Sequence, residues 1–333
     1  MRNRGITYDT GWAAGHGPTT HEPFDPATVR RDMQVIRDEL HCTAVRITGS
    51  LPERLEIAAR HAGDAGLEVW FSPFTNDLTT RELLDVLADC AARAERLRRD
   101  GVEVVLLTGA ELTLFTRGFL PGDTLDERTA LLSRPDRLRE LVPTIPPRLN
   151  AFLAEAAALV RKDFGGRISY AALPSERVDW TPFDVIGVDL YRSKENADVY
   201  EHALRVLAEQ GKPVAVTEFG CTTYRGAADL GARGAFLVEW DGTTARGLTR
   251  DLDRDEEAQA RYLRELVKVY EREAVDSAFW CTFAARNLPH RPGGGRADLD
   301  VASYGLVKVL DSGQWEPKAA FHAMAEVYAA AVP

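Results

Sequence analysis

The stretch KPVAVTEFG, residues 212–220, contains the clearest strand pattern in the chain. After Lys212 it is apolar and rich in β-branched residues, and it carries no charge until Glu218. Such a run is typical of a strand in a parallel sheet, because helices cover both faces of that strand. The sequence therefore predicts a buried parallel strand that ends in a carboxylate.

Seven further runs of this kind are spread along the chain, and segments with helical periodicity separate them. This alternation indicates consecutive βα units and a parallel sheet. Eight units in 333 residues predict an α/β fold, a single (β/α)8 TIM barrel that forms one catalytic domain over residues 1–333. The predicted strands are 5–9, 43–48, 67–72, 103–108, 167–172, 184–190, 212–218 and 275–282.

Start and stop signals for helices lie between the predicted strands. Asp25 offers a capping oxygen, and Pro26 suits the first helical turn. Capping boxes are expected at Ser50/Glu53, Thr79/Glu82 and Asp253/Glu256, and left-handed helix ends at Gly66, Gly101 and Gly211. A last helix over 317–330 would close the barrel, whereas the fifth crossover, 173–182, is too short for a full helix.

Composition and charge limit the classes of function. The net charge of -10 argues against a nucleic-acid partner, since such proteins bind phosphate through clustered Lys and Arg. No apolar stretch is long enough to span a bilayer, and the N-terminus lacks the pattern of a secretory leader, so a cytoplasmic protein is expected. No glycine-rich nucleotide-binding motif occurs, so we expect no cofactor, and the oligomeric state is left open.

Two glutamates follow predicted strands at the same edge of the barrel. Glu111 comes after the fourth strand and Glu218 ends the seventh, each after an apolar face. Because an unpaired buried carboxylate is costly, each should lie at the mouth or be paired. Either glutamate alone could equally form a structural ion pair. The faces that we expect to lead to them are Val105, Leu107 and Gly109 for Glu111, and Val214 and Val216 for Glu218.

Other strand ends supply polar or aromatic groups. Asp9 ends the first strand, Arg46 lies near the end of the second, Asp189 and Tyr191 end the sixth, and Trp280 lies in the eighth. An Arg and a Tyr hydroxyl beside Glu218 would hold it ionised, whereas Glu111 in drier surroundings could keep a proton. Arg46 could instead neutralise a core carboxylate, and Trp280 could be a core residue or a sugar platform.

Long segments follow the fourth, seventh and eighth strands, at 112–144, 219–253 and 283–303. In a barrel these are loops at the carboxyl ends of the strands, where substrate sites form. Phe115, Tyr224 and Arg286 lie in them and could line a cleft, although self-packed loops would use the same residues.

A metal site is not expected. Asp9, His16 and His21 are the nearest group of ligand-type residues, and their spacing matches no familiar ligand set.

Several of the predicted strands resemble those of the 4/7 superfamily of retaining glycoside hydrolases, also called clan A. Residues 212–220 look like its nucleophile strand, 184–191 like its sixth strand, 278–280 like its eighth and 45–47 like its second. The resemblance implies that Glu218 is the nucleophile and Glu111 the acid/base. The clan usually has Asn before the acid/base, where Ala110 stands here. The chain is also similar to actinobacterial barrels loosely labelled abortive infection protein.

Three functions are compatible with these residues. The first is a hydrolase of the glycosidase type that acts by retaining double displacement on a small-molecule glycoside. The second uses the same carboxylate pair for acid/base chemistry on a non-sugar secondary metabolite, which would explain Ala110. The third is a ligand-binding barrel without chemistry.

Overall fold

The computed structural model describes residues 1–13, 17–241 and 244–330. Eight parallel strands form a barrel, and helices surround it. The barrel strands are β1 (Asn3–Asp9), β2 (Ala44–Gly49), β3 (Glu68–Pro73), β4 (Val104–Ala110), β5 (Arg167–Ala171), β6 (Ile186–Asp189), β7 (Val214–Phe219) and β10 (Ser277–Trp280). They run around the barrel in the order β5-β4-β3-β2-β1-β10-β7-β6. The predicted (β/α)8 barrel is confirmed, and each predicted strand overlaps one of these.

The remaining strands form two hairpins on the long loops. They are β8 (Val238–Asp241) with β9 (Thr244–Leu248) after β7, and β11 (Val307–Val309) with β12 (Trp315–Pro317) after β10. The helices are α1 (Pro26–Asp38), α2 (Pro52–Asp64), α3 (Thr80–Arg99), α4 (Leu112–Phe115), α5 (Leu125–Ala130), α6 (Pro135–Leu141), α7 (Ile145–Asp163), α8 (Tyr200–Ala208), α9 (Glu256–Arg272) and α10 (Ala319–Ala329). Among the described residues, every helix is too short or too polar to span a bilayer.

The helix signals are confirmed at some sites and wrong at two. Asp25 caps α1, Thr79 and Glu82 form a capping box on α3, and Gly66, Gly101 and Gly211 have positive φ. The box at Ser50/Glu53 is wrong, because the Ser50 hydroxyl donates to the Phe74 carbonyl and Leu51 takes the cap position. The box at Asp253/Glu256 is also wrong, since Asp255 caps α9. The fifth crossover holds only a 3-10 turn, Pro174–Glu176, as its length predicts.

Closure of the barrel depends on a close approach between β5 and β6. The Ala172 N–H donates to the Gly187 carbonyl at 3.0 Å, and the Asp189 N–H donates to the Ala172 carbonyl at 2.9 Å. A Cβ atom on Gly187 would lie 2.2 Å from the Tyr170 carbonyl oxygen. Only glycine leaves room for the two strands to meet at this point.

Two apolar layers fill the barrel and its surroundings. The larger lies between the strands and the helices, and the smaller fills the lumen. The lumen cluster consists of Ala44, Trp70, Val105, Leu107, Ala110, Ala171, Val185, Ala215 and Phe279, and all of these side chains are buried. The lumen is thus a packed core that supports the mouth from below.

The strand ends at the mouth are irregular. The strand register shifts after Leu107 in β4, before Glu218 in β7 and after Ala278 in β10. The predicted faces are therefore partly wrong. Val214 and Val216 pack outward on the helices. Thr217 is an extra residue in β7 relative to β6, and it turns Glu218 toward Arg46 in the lumen. A bulge of this kind re-aims a side chain that strict alternation would place on the other face.

We predict that Gly187→Ala lowers the free energy of unfolding by about 2–3 kcal/mol, because overpacking at a backbone contact forces the strands apart. Urea unfolding followed by circular dichroism measures the change. Gly165→Ala is the control, since a Cβ there meets no atom closer than 3.5 Å. Equal stability of the two variants would show that the contact between β5 and β6 does not require glycine at position 187.

Candidate active site

Glu218 lies at the mouth of the barrel and accepts two side-chain hydrogen bonds. Arg46 donates from Nη1 to Oε1 at 2.6 Å, and the Tyr191 hydroxyl donates to Oε2 at 2.8 Å. The Glu218 side chain is 13% exposed, so it remains in reach of a ligand. Two donors aimed at separate oxygens fix the carboxylate and stabilise its negative charge.

Glu111 follows β4 in a left-handed backbone conformation, with φ 46° and ψ 41°. Its N–H donates to the Ala171 carbonyl at 2.9 Å, and its carbonyl accepts from Leu114 and Phe115 at the start of α4. Within the described residues, its carboxyl group makes no hydrogen bond. The backbone is thus held firmly while the carboxyl stays available to a ligand.

A buried network fixes the turn that carries Glu111. The Tyr170 hydroxyl donates to Glu176 at 2.8 Å and accepts from the Leu112 N–H at 2.8 Å. Glu176 also accepts from the Thr113 N–H and hydroxyl, at 3.0 and 2.7 Å. A fully satisfied buried network of this kind rigidifies the segment it joins.

Glu111, Asp189 and Glu218 form one carboxyl cluster. One oxygen from each lies within 4.8 Å of an oxygen from each of the others. Three such oxygens could offer ligands to a metal ion, but the Arg46 guanidinium already contacts Glu218 and lies 3.7 Å from Asp189. The cluster is therefore neutralised in part by a protein cation, which reduces its attraction for a metal ion.

Arg46 and Asp189 are buried with one polar atom of each lacking a partner. Arg46 donates to the Ser72 hydroxyl at 3.1 Å and to the Thr217 carbonyl at 3.1 Å, and Asp189 accepts from the Thr217 hydroxyl at 2.6 Å. Arg46 Nη2 and Asp189 Oδ2 have no hydrogen-bond partner in the described part of the chain. Such groups are costly to bury and are common at functional sites.

The pKa values of two carboxyl groups in the cluster, Glu111 and Asp189, are raised. Burial, together with the carboxyls of Asp189 and Glu218, raises the pKa of Glu111 well above its usual value. Burial and the Glu218 charge raise the pKa of Asp189 to about 8. Near neutral pH the cluster can therefore hold protons on Glu111 and Asp189, because several negative charges this close repel one another.

Asp9 and Trp280 have mainly structural contacts. Asp9 accepts from the Gly11 N–H at 2.8 Å and from the Thr20 hydroxyl, which shapes the loop after β1. Trp280 is fully buried and donates to the Tyr304 carbonyl at 3.0 Å. Its ring packs edge-on against Phe219. The core interpretation of Trp280 fits this position, and the sugar-platform interpretation does not.

Tyr224 and Arg286 do not join the carboxyl cluster. Tyr224 is buried in a small apolar cluster below the β8–β9 hairpin and donates to the Gly234 carbonyl at 3.1 Å. Arg286 pairs with the buried Asp32 of α1. It also lines a cleft of about 760 Å³, with His21 and other residues, that lies beside the β11–β12 hairpin and contacts neither glutamate. Neither residue contacts Glu111 or Glu218, and a role of Tyr224 or Arg286 in substrate binding stays a prediction.

Phe115 does lie at the mouth, together with two rings that the sequence did not single out. Its ring packs edge-on against Phe74 at a centroid distance of 4.7 Å and against Trp12 at 6.0 Å. All three side chains are partly exposed. Phe74 directly follows β3, which was the available signal for it.

The sequence did not predict several residues that hold Arg46, Asp189 and the Glu111 turn in place, because their contacts are with other strands and loops. Ser72 and Thr217 are polar residues inside apolar strand runs, and this contrast was a usable signal. Tyr170 and Glu176 gave no such signal, because their network forms only when the crossover after β5 folds back on α4. Of the residues considered for a metal site, His16 lies outside the described residues.

Comparison with known proteins supports the fold. No protein-family model and no curated protein matches the chain. A GH113 β-1,4-mannanase structure is 15% identical with a TM-score of 0.64, and the match covers 98% of each chain. A GH113 β-mannanase from Alicyclobacillus acidocaldarius is 17% identical with a TM-score of 0.63, over 98% of this chain and 97% of that one.

A β-D-glucuronidase from Dictyoglomus thermophilum matches over 100% of this chain and 51% of its own, with 14% identity and a TM-score of 0.57. At these identities the likeness establishes the barrel fold alone. The similarity to barrels labelled abortive infection protein stays a prediction.

We predict that Asp189→Asn flattens the pH dependence of stability between about pH 4 and pH 8. With its pKa raised to about 8, folded Asp189 keeps a proton that the unfolded chain releases, so stability falls as pH rises through this window. Asn keeps the acceptor for Thr217 and removes the titration. The loss of unfolding free energy per pH unit should therefore become smaller in the variant, by up to about 1.4 kcal/mol.

Urea unfolding at pH 5, 6.5 and 8 measures this slope. Asp311→Asn is the control, because that carboxylate is 61% exposed and its pKa is lowered by Arg291. A slope for Asp189→Asn equal to that of the unmodified chain would show that Asp189 is ionised in the folded protein.

Proposed function

We propose that this protein is a retaining glycoside hydrolase in which Glu218 is the nucleophile and Glu111 is the acid/base. The observation that carries this proposal is the spacing of the two glutamates, whose oxygens approach within 4.8 Å at the mouth. Retaining enzymes place the two carboxyls about 5–5.5 Å apart, whereas inverting enzymes need about 6.5–9.5 Å to admit a water molecule. The spacing favours the retaining reaction.

In the first step, Glu218 attacks the anomeric carbon while Glu111 gives its proton to the leaving oxygen. The glycosidic bond breaks, the alcohol leaves, and an ester joins the sugar to Glu218. In the second step, Glu111 removes a proton from water, which attacks the same carbon. The ester bond breaks, Glu218 regains its charge, and Glu111 regains its proton.

The surroundings of each glutamate support this division. Glu218 accepts from Arg46 and Tyr191, and these two donors hold the nucleophilic carboxylate in one orientation. The raised pKa of Glu111 keeps its proton available at neutral pH, as a general acid requires. Asp189 and Arg46 are assigned supporting roles, since both contact the elements that hold Glu218.

The printed names of the fold neighbours suggest a substrate class. Two neighbours are described as β-mannanases and another as a β-glucuronidase. We therefore propose a β-linked glycoside as the substrate, with the sugar to be identified by experiment.

A second candidate function is acid/base chemistry on a non-sugar metabolite by the same two glutamates. It is favoured by Ala110, which is 2% exposed and packs in the lumen where the resembling enzymes have Asn. In such enzymes, hydrogen bonds to the sugar 2-hydroxyl strengthen in the transition state. A substrate without that hydroxyl would not need them.

We predict that Glu218→Gly lowers kcat on an activated aryl β-glycoside by about 10⁴-fold or more, and that azide restores turnover. Azide takes the place of the missing carboxylate and gives a glycosyl azide of inverted configuration. A panel of nitrophenyl glycosides identifies the sugar, and NMR identifies the azide product. Glu316→Gln is the control, since that carboxylate is 56% exposed. Loss without rescue, on a substrate that the unmodified protein hydrolyses, would argue against Glu218 as nucleophile.

We predict that Glu111→Ala affects substrates according to the acidity of the leaving alcohol. Loss of the general acid should lower kcat/KM by about 10²–10⁴-fold for an alkyl glycoside and far less for a dinitrophenyl glycoside, which needs no proton. Steady-state kinetics on the two substrates measure the difference. If Glu111→Gln abolishes turnover of a non-sugar substrate while the whole glycoside panel is silent, the second candidate function replaces the first.

A further inference from the structure

Three aromatic rings form a continuous apolar surface at the mouth of the barrel. We call Trp12, Phe74 and Phe115 the aromatic wall. Their centroids lie 6.2 Å apart for Trp12 and Phe74, 6.0 Å for Trp12 and Phe115, and 4.7 Å for Phe74 and Phe115. The rings come from three different loops, after β1, β3 and β4, and each is partly exposed.

The aromatic wall lies on the side of Glu111. Phe115 is one helical turn after Glu111, and its N–H donates to the Glu111 carbonyl at 3.1 Å. Phe74 packs against the lumen cluster that contains Ala110, the residue directly before Glu111. Apolar side chains that follow β3 and β4 therefore lie beside the turn that carries Glu111.

The polar groups of the mouth gather around Glu218. Arg46, Asp189 and Tyr191 belong to β2, β6 and the loop after β6, and they gather around Glu218. The mouth thus presents charged groups around the proposed nucleophile and aromatic rings beside the proposed acid. A ligand that contacts both needs one polar part and one apolar part.

We propose that the aromatic wall binds the leaving group of the substrate, and that this leaving group is an apolar ring system and not a second sugar. The inference rests on the proposed function, because a general acid must lie within hydrogen-bond reach of the leaving oxygen. The leaving group then lies beside Glu111 and Phe115. The one polar group among the three side chains of the wall, the Trp12 indole N–H, is itself buried, whereas a sugar brings several hydroxyls that need partners.

The first test compares benzyl and methyl glycosides of the sugar that the enzyme accepts. Benzyl alcohol and methanol are leaving groups of similar acidity, so a difference in kcat/KM reports contact with the ring. We expect the benzyl glycoside to be preferred by about tenfold or more, from burial of one aromatic ring. Phe115→Ala and Trp12→Ala should each remove most of this preference, because kcat/KM should fall more for the benzyl glycoside than for the methyl glycoside.

Two variants control for structural damage. Phe115→Leu keeps an apolar side chain and should lose less of the benzyl preference than Phe115→Ala. Phe236→Ala removes a ring that is 69% exposed and should change neither substrate. Equal losses on both glycosides, no benzyl preference in the unmodified enzyme, or faster hydrolysis of a disaccharide than of the benzyl glycoside would each overturn the proposal.

A second test separates this inference from the proposed reaction. Calorimetric titration with 2-naphthylmethanol measures binding of an apolar ring alcohol without any hydrolysis. We expect Phe115→Ala to weaken binding by about tenfold, and Glu218→Gln and Phe236→Ala to leave it unchanged. This pattern with no glycoside hydrolysed would refute the glycosidase reaction and retain the apolar site. Equal binding by Phe115→Ala and the unmodified protein, or no binding by either, would refute the aromatic wall as the site even if glycosides are hydrolysed.

Discussion

The arrangement of the barrel mouth depends on one buried positive charge, the guanidinium of Arg46. Its side chain is 0% exposed, and a charge in such surroundings is costly unless it is paired and hydrogen-bonded. Glu218 supplies the counter-charge, Thr217 and Ser72 supply acceptors, and Asp189 lies close by. Because these partners come from β3, β6 and β7, the charge of a β2 residue ties together the ends of four strands.

The same charge sets the electrostatics of the three carboxyls. One guanidinium cannot neutralise Glu111, Asp189 and Glu218 at once, so the site lowers its energy by keeping protons on the groups that Arg46 contacts least. Glu218 accepts directly from Arg46, Asp189 lies 3.7 Å away, and Glu111 forms neither a hydrogen bond nor an ion pair with Arg46. Carboxyl groups of the same chemical type can thus differ in pKa within one cluster, because they differ in burial and in their distance from the guanidinium.

The mouth also contains local features that cost stability and that other contacts offset. Glu111 has a left-handed backbone, and the strands bearing Glu111 and Glu218 have irregular registers near their ends. The hydrogen-bond network of Tyr170 and Glu176 holds the turn at Glu111 in place. Below them, the packed lumen provides the rigid support that precise placement of two carboxylates requires.

The sequence alone determined the barrel, because eight buried strand runs alternate with helices in a pattern that local side-chain chemistry specifies. It also placed Glu111, Glu218, Arg46, Asp189 and Tyr191 at one rim, since parallel strands end at the same edge. Only the tertiary structure decided which loop residues join them. Bulges, crossover contacts and ring packing depend on the distance between strands far apart in sequence, and periodicity contains no information about that distance.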